Sequence, residues 1–149
     1  MIFLQAAARQ DSPAALCLLL AEKGIVELCV SAAILAEIRE VLNRPRLRAK
    51  FSRLTGDFVY RFLNTVEGFS TLVAEVGTEL VLTRDKKDEP YLNLAHAAGA
   101  EYLVSRDSDL LDIPYSVDPD SLRIREMCPA LQFTDPVRFI RSIQKRSGE

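Results

Sequence analysis

Histidine is almost missing from this chain: His96 stands alone among 149 residues. Any Ser-His-Asp or Cys-His nucleophilic device would have to use it, yet it lies in the helical run Leu-Asn-Leu-Ala-His-Ala-Ala. Cysteine is also sparse. Cys17, Cys29 and Cys128 are odd in number, widely spaced and without a Cys-x-x-Cys pair. That excludes a disulfide framework and a zinc cage, and leaves thiols of a reducing cytoplasm. There is no basic excess, since 19 Lys+Arg face 21 Asp+Glu. Binding nucleic acid by bulk charge alone is therefore not expected. No apolar run approaches the ~18 residues of a membrane span. Met1-Ile2-Phe3-Leu4 has neither the basic lead-in nor the long apolar run of a secretory signal. Low-complexity segments and internal repeats are absent too.

The remainder is a globular composition, 48% apolar and 27% charged, of a length that suits one domain over 1–149. Ser12-Pro13 predicts a helix through about Glu22, ended by Gly24, and Ile25–Val30 predicts a short buried strand. Ser31 caps a predicted helix over 32–42, with Ile34, Ile38, Val41 and Leu42 at helical spacing. A further helix is predicted from Gly56 to Glu67, then short apolar stretches at 70–74 and 80–82. Asp88-Glu89-Pro90 opens a helix that Gly99 ends, followed by a strand over 101–104. Leu122–Ile124 reads as another strand, and Asp135-Pro136 starts a last helix. Alternating strands and helices argue for an α/β fold with a parallel sheet, whose ligands sit beyond the carboxyl ends of its strands.

Carboxylates stand at those places. Asp107 and Asp109 follow the strand at 101–104, Asp88 opens a helix after Asp85-Lys86-Lys87, and Glu37 lies near the apolar stripe of its helix. Each has a plainer reading. Asp88 fits an N-cap, Asp107 and Asp109 fit turn residues, and Glu37 could pair with a nearby arginine. Taken together, clustered acids repel one another unless a divalent cation neutralises them. Oxygen donors without His or Cys point to Mg2+ or Mn2+. Metal-assisted phosphodiester hydrolysis is the reaction such a site favours.

Ser31-x5-Glu37, then Val41-Leu42-Asn43-Arg44-Pro45, then Asp85-Lys86-Lys87-Asp88-Glu89-Pro90-Tyr91-Leu92, then Ala100-Glu101-Tyr102-Leu103-Val104-Ser105-Arg106-Asp107-Ser108-Asp109-Leu110-Leu111 together resemble the PIN domain. The branch they resemble comprises toxins of bacterial toxin–antitoxin pairs, relatives of the VapC-like toxins. The resemblance implies a parallel sheet flanked by helices and a Mg2+- or Mn2+-dependent ribonuclease site of about four acids. Glu37, Asp88 and Asp107 fall on three metal-binding positions, and Asp109 is the neighbour that assists. The fourth acid, on a first strand, has no counterpart here. Met1–Gln5 looks like the stretch after that acid, with Met1 in the place of an Asn. A truncated first strand and impaired hydrolysis are the expectation.

Arg44, Arg46, Arg48, Lys50 and Arg53 lie in a ten-residue stretch without an acid, leaving 14 basic against 21 acidic residues elsewhere. This reads either as a basic rim guiding RNA, with Ser105 as a further substrate contact, or as a solvated loop. The resemblance also implies a cognate antitoxin, a homodimer and a cytoplasmic location, with no membrane partner. Two other readings share these residues: a non-catalytic module that holds RNA or protein, and a phosphohydrolase of small phosphate esters.

Overall fold

The computed structural model describes residues 2–148. Its chain falls into two compact units, Met1–Leu72 and Val73–Glu149. Each combines helices with one pair of short parallel strands. The parallel α/β expectation holds at this level.

The first unit begins with α1 (Ile2–Ala8) and α2 (Pro13–Glu22). α1 corrects the strand expected over Met1–Gln5. Phe3, Ala6 and Ala7 are its buried residues, three and four positions apart, so one helical stripe faces the core. The expected role of Met1 lies outside the described residues. Ser12 caps α2 by accepting the Ala15 N–H at 3.1 Å. Gly24, at φ +77°, closes it. The Ile25 N–H reaches the Leu20 carbonyl and the Gly24 N–H the Ala21 carbonyl, a pairing that needs a left-handed residue between them. β1 follows as Leu28–Val30 only, because that turn consumes Ile25 and Val26.

Ser31 caps α3 (Ala32–Leu42), whose Ile34, Ile38, Val41 and Leu42 are buried as their spacing predicts. Arg44-Pro45 starts α4 (Pro45–Lys50), so half of the presumed loop is helix. α5 (Gly56–Phe69) leads directly into β2 (Ser70–Leu72), which pairs parallel with β1 in the register Leu28 to Ser70. α1 packs on α2 and α3, and α5 on α2 and α3.

The second unit enters through an extended segment around Leu80 and Leu82, both fully buried. It is not a strand. Its backbone is instead satisfied by side chains of α6 (Glu89–Ala98). Asn93 accepts the Leu80 N–H at 2.9 Å and donates to the Leu80 carbonyl at 3.0 Å, and Glu89 accepts the Leu82 N–H at 3.0 Å. Asp120 takes the next N–H, from Thr83. These bonds fix the approach to a 3-10 turn at Lys86–Asp88.

After α6 come β3 (Tyr102–Val104), α7 (Ser108–Leu111), α8 (Pro119–Met127), β4 (Gln132–Thr134) and α9 (Pro136–Ser147). β3 pairs parallel with β4, Tyr102 opposite Gln132. α8 corrects the strand expected at Leu122–Ile124. Asp118 caps it, Pro119 occupies its first turn, and Ile124 is buried while Leu122 is exposed. The core gathers Leu80, Leu82, Leu92, Leu103, Leu110, Ile113 and Ile124.

Candidate metal centre

Two loops bring the acids of the second unit together. The first is the 3-10 turn, where Asp85 accepts the Lys87 N–H at 3.0 Å and Asp88 sits buried at the start of α6. The second follows β3. Ser105 donates its backbone N–H to the Thr134 carbonyl, which carries the ladder one residue beyond the strand. Its hydroxyl then accepts the Asp107 N–H at 2.9 Å, and Asp107 accepts the Asp109 N–H at 2.9 Å. Asp107 is thus the N-cap of α7, with one carboxylate oxygen committed to its own turn.

One carboxylate oxygen each from Asp85, Asp107 and Asp109 lies within 4.8 Å of the others. Asp88 abuts this group. Only 8% of it is exposed, and its Oδ2 is buried without a hydrogen-bond partner. Burial pushes its carboxyl up to about 7; a hydrogen bond with Asp107 and the charges of Asp107, Asp85 and Asp109 add to the rise. An orphaned buried oxygen beside three half-buried carboxylates is a costly arrangement for an ion-free protein. A hard divalent cation suits it, since every donor is a carboxylate oxygen. The residues present fit Mg2+ or Mn2+.

The other expected site residues divide between the two units. Glu37 belongs to the first unit, half-buried on α3, and its charge acts on Arg44. Arg44 pairs with Glu40 at 2.8 Å in an exposed i,i+4 bridge that holds the Glu40 carboxyl below its ordinary range. Arg46 is exposed, while Arg48 is half-buried and bonds Asn43. Ser105 acts through its hydroxyl, which accepts the Asp107 N–H and orients that turn. His96 faces Cys128, Nδ1 to Sγ 3.4 Å, away from any role among the acids. Asp85 is the residue that reading the sequence missed. Its signal was its position three residues before Asp88, which one tight turn converts into proximity.

Fold and carboxylates together define an α/β chain equipped to hold a divalent cation. A family model for the PIN domain matches residues 1–109, and the chain belongs to that family. It is a family of nuclease type, acting on nucleic acid and typically using divalent metals. No curated protein and no solved structure matches the chain. No helix among the described residues is long and apolar enough to cross a membrane.

Proposed function

We propose that this protein is a Mg2+- or Mn2+-dependent endoribonuclease, the toxin of a toxin–antitoxin pair with VapC-like relatives. The observation that carries the reading is the grouping of Asp85, Asp107 and Asp109 beside Asp88, whose Oδ2 is buried without a hydrogen-bond partner. Family membership supplies the substrate class. The match runs from the first unit into the second, which supports reading 1–149 as one PIN-like domain.

In this reading Asp85, Asp88, Asp107 and Asp109 would hold the cation. A bound divalent ion supplies positive charge for the phosphoryl transition state and a more acidic water. The protein's own residues do the rest. The Ser105 hydroxyl holds the Asp107 backbone, and the Asp109 N–H holds one oxygen of its carboxylate. Asp88, its carboxyl pushed up to about 7 by burial, would have to give up its proton to serve as a ligand. The antitoxin, the homodimer and the cytoplasmic location follow the same resemblance.

Incubation of labelled single-stranded RNA with Mn2+, with and without chelator, tests this. Metal-dependent cleavage that an Asp85→Asn, Asp107→Asn double variant loses is the expected result. Metal binding without cleavage points to a module that only holds RNA or protein. Turnover of a generic phosphate monoester but not RNA points to a small-ester phosphohydrolase.

A further inference from the structure

Arg84 precedes the acids in the chain and touches one of them, Asp109, in space. Its Nη2 donates to the Asp109 carbonyl at 2.6 Å, and its Nε lies 3.5 Å from the Asp109 carboxylate. Its Nη1 donates to Asp118 at 3.0 Å and approaches the Ser121 hydroxyl at 3.4 Å. A guanidinium has five N–H donors in a rigid fork, and this one makes three hydrogen bonds and an ion pair with these partners. A side chain so engaged is a poor phosphate hook. Its partners explain it better. Asp118 is itself anchored, accepting the Ser121 N–H at 3.1 Å and the Ser121 hydroxyl at 2.8 Å. One end of the fork is therefore fixed to the start of α8, and the other grips the first turn of α7. That turn carries Asp109 directly and Asp107 at its cap.

We propose that Arg84 is a positioning residue: it ties the start of α7 to the start of α8 and so sets the spacing of Asp107 and Asp109 against Asp85. The proposal rests on the metal-centre reading above, and it assigns a role to a cation that electrostatics alone would place badly. A fixed positive charge beside a divalent-ion site repels that ion. If Arg84 acted only as a charge, removing it would tighten metal binding. If it acts as a clamp, removing it weakens binding. Lysine separates the two further, because it keeps the charge and loses the fork.

The experiment is Mn2+ titration of the full chain by calorimetry, for wild type, Arg84→Ala, Arg84→Lys and Asp118→Asn, with metal-free melting curves alongside. Arg84→Ala and Arg84→Lys are both expected to bind Mn2+ about tenfold more weakly, the low end of what loss of a ligand-orienting partner costs. Asp118→Asn keeps the arginine but loosens its anchor, and should fall between them and wild type. Equal or tighter Mn2+ binding by Arg84→Ala overturns the clamp while leaving the metal centre intact. Should Arg84→Ala not fold, Arg84→Lys and Asp118→Asn decide by the same criterion. Absence of Mn2+ binding by wild type refutes the metal centre and the clamp with it.

Discussion

Asp107, Asp118 and Asp135 do the same local job. Each is an N-cap whose carboxylate accepts a backbone N–H of the helix it opens. Their surroundings differ. Asp118 has Arg84 at 3.0 Å and Asp135 has Arg138 at 2.8 Å. Both carboxyls are held below the ordinary range, Asp118 chiefly by the Ser121 hydroxyl and Asp135 chiefly by the Arg138 backbone N–H. Asp107 faces acids instead, with Asp85 and Asp109 close by and Asp88 pushed up to about 7 beside it. A cap explains why an Asp stands at a helix start. It does not explain why a second and third acid gather there without a fixed counter-charge for each. The difference marks one region as helix punctuation and the other as an acidic cluster that could hold a cation.

Removing ligands from the second region should break the comparison most severely. Under the metal reading, Asp107→Asn keeps an acceptor for the α7 cap while losing the charge. RNA cleavage is expected to fall by about 100-fold or more, the scale of losing one electrostatic contact to a transition state. The melting-temperature rise that Mn2+ gives wild type should shrink with it, because a ligand of the folded state stabilises by its occupancy. Asp135→Asn, at the matching position of α9, should leave both readouts unchanged. Equal losses at the two caps would erase the distinction.

Acid and base limbs of stability sharpen it next. Asp88 ionises near 7 in the folded protein against an ordinary 3.8. The folded state therefore keeps a proton that the unfolded chain has lost across that interval. Stability from Asp88 is fully present below about 4 and is lost as pH rises toward 7. Asp118 and Asp135, with lowered values, contribute in the opposite sense: their stabilisation is present above about 4 and is lost as pH falls. Asp88→Asn removes the first trend only. At pH 8 without metal it should stabilise the protein by about 2 kcal/mol, below the ~4 that three pKa units represent, because neighbouring groups and water relax. Denaturant midpoints at pH 5 and pH 8 measure this, and a midpoint gain at pH 5 as large as that at pH 8 would contradict it.

Sequence pattern reached much of this and failed where elements are short. Caps and long periodic runs made α2, α3, α5, α6 and α9 legible, with bounds within a residue or two. Every strand among the described residues has three residues, too few to show a period of two, so β4 passed unnoticed and Leu122–Ile124 looked like a strand. Leu80 and Leu82 were legible as buried, but not that Asn93 and Glu89 would replace a strand partner. At the site, Asp88, Asp107 and Asp109 were legible from their places after a strand and at helix starts. Asp85 was not, because its nearness to Asp107 depends on how a 3-10 turn aims its side chain. Arg84 was hidden for a similar reason, since its partners lie 25 to 37 residues away.

The smallest effect tests the punctuation side of the comparison. Asp135 accepts the Arg138 N–H at 2.8 Å and pairs with its guanidinium, on the helix whose Phe139, Ile140 and Ile143 enter the core. Asp135→Ala removes both contacts. Loss of an N-cap costs about 1 kcal/mol, and the i,i+3 ion pair, with Arg138 half exposed, adds only a few tenths. Arg138→Ala deletes the pair and keeps the cap, so it should cost the few tenths alone. The two variants thus divide one acid's contribution into a backbone part and a charge part. If Arg138→Ala matched Asp135→Ala in a urea titration, charge would dominate here as it does at Asp107, and capping would lose its standing as the reason these aspartates open their helices.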